Sequence, residues 1–151
     1  MKIAICGSIA FIEEMSAARD VLLGALHEVE MPPLEVKNES GEIIPVLEYY
    51  RRRKAASDND EWIWRRKAEA IHAHFDKIVW SDAILVLNLD KNGVEGYIGA
   101  NTLLEMGLAF HYRKPIYLAG PIPHLPYREE ILAMYPILLN GKLEIEEGKV
   151  V

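Results

Sequence analysis

Hydrophobic positions along the chain fall into short unbroken runs that are separated by segments with helical spacing. The clearest run is Ala83–Leu87, and Lys2–Cys6 and Pro115–Ala119 resemble it. Runs of this length without polar alternation are typical of strands that are buried on both faces of a parallel sheet. A proline-rich break at Met31-Pro32-Pro33 predicts a further short strand on one side of it.

Apolar residues three and four positions apart predict the helices. We expect them over Ile12–Leu26, Ile43–Ala56, Glu61–Ser81, a segment capped by Asn101 or Thr102, and Tyr127–Tyr135. In the longest, the predicted buried stripe is Trp64, Ala68, Ile71, Phe75 and Ile78. Strands and helices alternate, so the chain is expected to form a single-domain, three-layer α/β fold of the Rossmann/flavodoxin-like type over residues 1–151, with a mainly parallel sheet of four or five strands. The tail Leu143–Val151 is predicted to add an edge strand or to lie against a partner.

Composition narrows the range of functions. The chain has 151 residues, half of them hydrophobic, and a formal net charge of −6. An acidic chain is not suited to nucleic-acid polymers or membrane surfaces, which require a basic face. One cysteine excludes an internal disulfide, and with so few soft ligands neither a metal nor another cofactor is expected. The first apolar segment is too short for a signal peptide, and no run approaches a membrane span, so a cytoplasmic protein is expected.

Glu105 is the candidate for chemistry, because it is the charged residue in an otherwise apolar helical segment after the strand Ala83–Leu87. One interpretation is that its charge complements the helix dipole. The other is a ligand site at the carboxyl end of a parallel strand, where open α/β sheets bind their ligands. Gly107 and Ala109 favour the second interpretation, since small residues let the helix approach a neighbour or ligand closely.

Three further features each allow two interpretations. The turn Gly7-Ser8-Ile9-Ala10 after the first strand presents backbone N–H groups to an anion, or is simply a tight strand-to-helix turn. The basic run Arg51–Lys54 is a solvated helix face, or part of a flap whose arginines meet a substrate phosphate or a partner subunit. His74, beside the predicted buried stripe, is a boundary residue or a catalyst.

Three motifs in this order resemble the nucleoside 2-deoxyribosyltransferase superfamily. They are Cys6-Gly7-Ser8-Ile9, Ser81-Asp82-Ala83 and Glu105-Met106-Gly107-Leu108-Ala109. The first looks most like the turn of the 2-deoxynucleoside 5-phosphate N-hydrolases in that superfamily. The resemblance covers most of the chain and implies a nucleoside or nucleotide as the small-molecule partner. It also implies a homodimer or higher homo-oligomer, with Tyr49, Tyr50, Trp62 or Trp64 at the interface unless they pack in the core.

The resemblance also implies roles for individual residues. Glu105 matches the nucleophile that attacks the anomeric carbon, as in retaining glycosidases. By spacing, His74 stands where the family has the aspartate that handles the proton of the departing base, with Asp76 two residues later. Ala4 replaces a supporting tyrosine, whose hydroxyl Tyr97 is expected to supply. The predicted substrate-binding residues are Cys6, Gly7, Ser8, Ile9, Asn88, Asp90, Gly99, Asn101 and Thr102.

Departures from the family pattern leave three functions open. Ala10 replaces the arginine that follows the turn in the phosphate-preferring hydrolases, and Arg51–Arg53 are the candidates to compensate. The first function is cleavage or transfer at the N-glycosidic bond of a nucleoside or nucleotide. The second is a phosphoribohydrolase acting on nucleoside monophosphates, because Tyr97–Glu105 faintly resembles the glycine-rich motif of those enzymes. The third is a nucleotide-binding sensor without catalysis.

Overall fold

The computed structural model describes residues 1–146, which form an α/β fold of the Rossmann/flavodoxin-like type. A single turn of 3₁₀ helix, Ile9–Phe11, precedes the first α-helix. The helices are α1 Ile12–Gly24, α2 Val46–Ala55, α3 Glu61–Trp80, α4 Ala100–His111 and α5 Arg128–Ala133. The strands are β1 Lys2–Cys6, β2 Glu28–Glu30, β3 Glu35–Lys37, β4 Ile43–Pro45, β5 Ala83–Val86, β6 Ile116–Leu118 and β7 Ile137–Leu138.

Five of these strands form one parallel sheet in the order β2-β1-β5-β6-β7. The sheet confirms the predicted fold class, and it has five strands where four or five are predicted. Its central strands β5 and β6 are buried at every position, as their unbroken apolar runs predict. The chain order of the strands reverses between β1 and β5. Such a reversal opens a crevice beyond the carboxyl ends of the strands, where folds of this type bind ligands.

A second, two-stranded sheet corrects one predicted helix. Ile43–Pro45 is a strand, β4, which pairs antiparallel with β3, whereas the sequence pattern predicts a helix from Ile43. The helix begins at Val46, because the proline ring disfavours the α conformation of Ile44 before it and Pro45 itself is extended at the helix cap. The hairpin holds α2 beside the carboxyl edge of the main sheet through buried Val36 and Ile44.

The buried face of α3 differs from the predicted stripe. Trp64 and Ala68 are exposed, whereas Ile63, His74 and Ile78 are buried. The first half of the helix therefore departs from the predicted stripe, whereas Ile78 is buried as predicted and Ile71 and Phe75 are half-buried. The reason is that part of its inward face meets a polar cavity, described below, instead of the apolar core.

Other expectations need smaller corrections. Leu26 lies beyond the end of α1 and is 91% exposed with a positive φ, so it does not extend the buried stripe of that helix. Leu104 and Phe110 on α4 are about half exposed. Tyr49 is buried and its hydroxyl donates to the carbonyl of Ile63, so this tyrosine is a core residue. Trp62 packs against Tyr49 edge to face.

The edge of the main sheet differs from the expectation for the tail. Its last strand is β7, Ile137–Leu138, which lies before the predicted position. Residues 143–146 form no regular element, although Ile145 packs in the core, and the rest of the predicted tail lies outside the described residues. Among the residues described, no helix combines the length and the apolar character needed to cross a membrane.

Candidate active site

A cavity of about 620 Å³ lies at the carboxyl edge of β1 and β5, between α2, α3 and α4. Its volume is in the range of small-molecule sites, about 300–1,000 Å³. Nine residues that the sequence analysis selects line this cavity together. They are Gly7, Ser8, Ile9, His74, Tyr97, Gly99, Asn101, Thr102 and Glu105.

Glu105 is buried in the wall of the cavity, with only 4% of its surface exposed. It lies in the second turn of α4, which begins after an extended Gly99. Neither Asn101 nor Thr102 caps this helix, in contrast to the prediction. Asn101 instead donates from Nδ2 to Glu105 Oε1 at 2.8 Å, one helical turn away. Glu105 Oε2 makes no hydrogen bond with the described residues.

A second polar contact extends this arrangement to α3. The Lys67 ammonium donates to Asn101 Oδ1 at 3.3 Å, so Asn101 links a cation on one helix to the carboxyl group on the other. Burial and the nearby charge of Arg53 lower the pKa of Lys67 to about 8, against the opposing charge of Glu105. Sequence reasoning missed Lys67, because the apolar spacing of α3 does not mark the face that borders the cavity. The one signal is its spacing of seven residues from His74, which places both side chains on the same side of a helix.

On its other side Glu105 faces His74 and Cys6. His74 Nε2 is 3.9 Å from Glu105 Oε2 and 3.4 Å from Cys6 Sγ. Cys6 is completely buried at the end of β1, behind the residues that line the cavity. Three elements, β1, α3 and α4, thus bring a thiol, an imidazole and a carboxyl group together.

Burial determines the protonation of this group. It raises the pKa of Glu105 to about 8, against the opposing effects of Cys6, Lys67 and Asn101. It lowers the pKa of His74 to about 4, with the charge of Lys77 acting in the same direction. It also raises the pKa of Cys6 well above its usual range, and the charge of Glu105 adds to that effect. At neutral pH His74 is therefore a neutral imidazole, which is not the protonated form that the predicted general acid requires.

A cationic corner lines the cavity next to the turn after β1. Lys91 donates from Nζ to Ser8 Oγ at 2.8 Å and to the hydroxyl of Tyr50 at 2.7 Å. Its ammonium also lies 5.3 Å from the ring centre of Tyr97. Burial alone would raise the pKa of Tyr50, but the hydrogen bond and charge of Lys91 outweigh burial and lower it. We call Ser8, Tyr50 and Lys91 the lysine corner.

The basic run of α2 divides between the cavity and the surface. Arg53 and Lys54 line the cavity, and Arg53 also lies over the ring of Tyr50. Arg52 instead pairs on the surface with Glu48, and Arg51 is exposed. One side of the helix therefore faces solvent and the other faces the cavity, and the contact of Arg53 with a substrate phosphate stays a prediction.

Besides Cys6, which is predicted to bind substrate but lies behind the cavity wall, three predicted site residues lie elsewhere. Asp76 is exposed on α3 and does not line the cavity, so the proposed catalytic role has no support at that position. Asn88 is buried and uses its amide to join two loops, donating to the carbonyls of Gly96 and Pro121. Asp90 is exposed and accepts from the backbone of Gly96. Asn88 and Asp90 therefore shape the loop after β5 and do not face the cavity.

Similarity to known proteins is found among solved structures. No protein-family model matches the chain. No curated protein matches it either. A solved structure of a 2-deoxyribosyltransferase from Bacillus psychrosaccharolyticus is similar with 18% sequence identity and a TM-score of 0.48, over 78% of this chain and 71% of that chain.

Proposed function

We propose that the chain cleaves or transfers the N-glycosidic bond of a (deoxy)nucleoside or nucleoside monophosphate through a covalent glycosyl–Glu105 intermediate. The observation that carries this proposal is the position of Glu105. A buried carboxyl group with one oxygen free of hydrogen bonds faces a cavity of about 620 Å³ at the carboxyl edge of a parallel sheet. The motif resemblance described above assigns the nucleophile to the same residue.

The first chemical step uses this free oxygen. Ionised Glu105 attacks the anomeric carbon from the face opposite the base, so that a bond from Oε2 to carbon forms while the bond from carbon to the base nitrogen breaks. The electron pair stays with the departing base, which needs a proton. Lys67 suits that donation better than neutral His74, because its ammonium faces the cavity and its pKa is lowered to about 8.

The second step releases the sugar. A water molecule or a second base attacks the same carbon, and Glu105 leaves as a carboxylate while the attacking group returns its proton to Lys67. Hydrolysis and transfer therefore differ only in the acceptor. Asn101 keeps the carboxylate oriented in both steps, since it holds Oε1 and leaves Oε2 for the sugar.

The lysine corner supports a phosphorylated substrate. Lys91 and Ser8 meet at the turn after β1, and Arg53 and Lys54 line the same cavity. Cations grouped around a hydroxyl and a turn are the usual partners of a phosphate group. This corner also favours the second candidate, a phosphoribohydrolase, because that activity likewise needs a 5-phosphate.

The test is a panel of deoxynucleosides, ribonucleosides and their 5-monophosphates, with release of free base followed by chromatography. New nucleoside in the presence of an added base indicates transfer, and free base alone indicates hydrolysis. Preference for ribonucleoside monophosphates would favour the phosphoribohydrolase. Tight binding of a nucleotide without release of base from any substrate would favour a nucleotide-binding sensor.

The nucleophile is tested by Glu105→Gln, which keeps the size of the side chain. We expect activity to fall by at least about a thousandfold, as for other covalent nucleophiles. Glu130→Gln, an exposed position on α5, is the matched control and should keep full activity. Full activity in Glu105→Gln would remove Glu105 from the mechanism.

A further inference from the structure

Cys6, His74 and Glu105 place three different metal-binding atoms in one small volume. One sulfur, one nitrogen and one oxygen atom from these side chains all lie within 4.8 Å of one another. All three residues are buried. Each belongs to a different element, so the positions are fixed by the packing of β1, α3 and α4 and not by a loop.

The spacing of the donors resembles that of a tetrahedral zinc site. With zinc–sulfur and zinc–nitrogen bonds of about 2.3 and 2.0–2.1 Å, a tetrahedral angle places the two donors about 3.5 Å apart. The observed separation of Cys6 Sγ and His74 Nε2 is 3.4 Å. His74 Nε2 and Glu105 Oε2 are 3.9 Å apart. This is about half an ångström beyond the separation of about 3.4 Å that tetrahedral zinc–nitrogen and zinc–oxygen bonds give.

The surroundings of these atoms also suit a cation. Glu105 Oε2 is buried and has no hydrogen-bond partner among the described residues, which is costly for a polar oxygen unless something else binds it. Asn101 holds the other oxygen of the same carboxyl group, as an outer-shell partner does for a metal ligand. A thiolate, a carboxylate and a neutral imidazole together balance the charge of a divalent ion.

We propose that Cys6, His74 and Glu105 bind a divalent ion of the zinc type, with an open fourth position towards the cavity. The ligand set excludes magnesium and calcium, which prefer oxygen donors throughout. The thiol of Cys6 loses its proton to solvent on coordination. His74 and Glu105 line the cavity whereas Cys6 lies behind them, so the ion enters from the cavity side.

The proposal has a consequence that rests on the proposed function. An ion bound to Oε2 occupies the atom that attacks the sugar, so metal binding and the covalent intermediate exclude each other. Zinc is therefore an inhibitor of the proposed reaction, and a chelator restores activity.

Cobalt titration tests the site without any substrate. Co²⁺ is added to chelator-treated, reduced protein, and the near-ultraviolet band from thiolate to cobalt is recorded. Cys6 is the single cysteine of the sequence, so this band can arise from no other residue. We expect saturation at one ion per chain, loss of the band when Zn²⁺ is added, and no band in Cys6→Ser.

Two further variants keep the thiol and remove one other ligand. His74→Gln and Glu105→Gln should weaken cobalt binding by at least about tenfold, since even outer-shell partners contribute 10–100-fold. His72→Gln, an exposed position two residues away on α3, should bind as the wild type does. Circular dichroism verifies that each variant is folded.

The proposal is overturned if the wild type gives no thiolate–cobalt band, or if the band is the same in His74→Gln and Glu105→Gln. This outcome is independent of the enzymatic proposal. A chain that binds cobalt as expected but releases no base would keep the metal site and lose the proposed function. A chain that releases base but gives no cobalt band would keep the proposed function and lose the metal site.

Discussion

At the scale of single residues, Glu105 is positioned to act as a nucleophile, but its carboxyl group is mostly protonated at neutral pH. Burial raises the pKa of its carboxyl group to about 8, so only a minor fraction is ionised at neutral pH. The proposed nucleophile is the ionised form. The same burial that positions the side chain therefore limits how much of the protein is ready to react.

This yields a prediction for the pH dependence of base release. Below about pH 8 the ionised fraction of Glu105 falls tenfold for each pH unit, so kcat/KM should rise about tenfold per unit towards pH 8. Above about pH 8 it should fall again, because Lys67, the proposed proton donor, loses its proton there. Measurements from pH 6 to 9 decide the matter. A rate that does not rise between pH 6 and pH 8 would contradict ionised Glu105 as the nucleophile.

Stability provides a second prediction at this residue. In the unfolded chain Glu105 ionises near pH 4.5, whereas in the folded chain it ionises near about 8, so the free energy of unfolding decreases as the pH rises between these values. Glu105→Gln removes the ionisable group and therefore this pH-dependent decrease. The variant should be more stable than the wild type by roughly 1–3 kcal/mol at pH 8, the usual cost of a buried polar group that lacks a hydrogen-bond partner.

Urea unfolding at pH 5 and pH 8 measures the effect. The stabilisation by Glu105→Gln should be smaller at pH 5, because the wild-type carboxyl is then protonated in the folded state. His74 has the opposite effect on the free energy of unfolding. Its pKa is lowered to about 4 in the folded chain, so the free energy of unfolding decreases as the pH falls from 6.5 towards 4. An equal effect of Glu105→Gln at both pH values would contradict the pKa of Glu105.

At the scale of elements, the loop between β5 and α4 determines the shape of the site. It carries Lys91 to the turn after β1, and Asn88 fastens it to the loop after β6. Gly96 lies where these loops meet. It has a φ of +66°, and a Cβ atom there would collide with the carbonyl oxygen of Pro121.

Gly96→Ala should therefore destabilise the fold more than a second glycine substitution in the same loop. Gly93 has a similar φ of +73° but open space around it, so Gly93→Ala carries only the backbone penalty of about 1–2 kcal/mol. The collision at Gly96 should add about 1–3 kcal/mol. Thermal unfolding of the pair isolates the steric contribution, and equal melting temperatures would contradict the loop packing.

Lys91 gives the functional prediction for the same loop. Lys91→Met keeps much of the side chain but removes the ammonium that contacts Ser8 and Tyr50. Binding of nucleoside monophosphates should weaken by about ten- to a hundredfold, corresponding to a charged hydrogen bond of about 1.5–3 kcal/mol. Binding of unphosphorylated nucleosides should change little. Lys142→Met, at an exposed position, is the control for calorimetric titration.

The elements differ in how well sequence reasoning predicts them. The buried strands β1, β5 and β6 are marked by unbroken apolar runs, and Glu105 stands out as a charge in an apolar helix. The orientation of α3 is not marked, because its side towards the cavity carries the polar residues Lys67 and His74, whereas the apolar Trp64 remains partly exposed at the cavity wall. Apolar spacing assumes an apolar neighbour, and it fails where a helix borders a polar cavity.

Contacts between residues that are far apart in the chain also cannot be predicted from the sequence pattern. Lys91 meets Ser8 across 83 positions and Tyr50 across 41. No local pattern distinguishes Lys91 from the other lysines, since its role depends on a loop path that only the packed structure defines. Asn88 is predicted to bind substrate, yet its amide is hydrogen-bonded to backbone groups of two loops.

At the scale of the whole molecule, the charge of the cavity opposes that of the protein. The chain carries a formal net charge of −6, whereas Arg53, Lys54, Lys67 and Lys91 all line the cavity. A cationic cavity in an acidic protein attracts anionic ligands over short range, while the overall charge repels nucleic-acid polymers. The distribution of charge thus favours small anions over large ones.

This distribution predicts that binding of a nucleoside monophosphate depends on salt. Affinity should fall steadily as sodium chloride rises from 20 to 500 mM (proposed assay conditions, roughly the range over which the Debye length falls from about 20 to 4 Å), because the salt screens the cavity cations from the phosphate. The corresponding nucleoside carries no phosphate, so its affinity should stay nearly constant and serves as the matched control. In Lys91→Met the salt dependence for the monophosphate should become shallower, since one of the screened charges is gone. Equal salt dependence for both ligands would show that the cavity cations do not act on the phosphate, and the lysine corner would then lose its assignment.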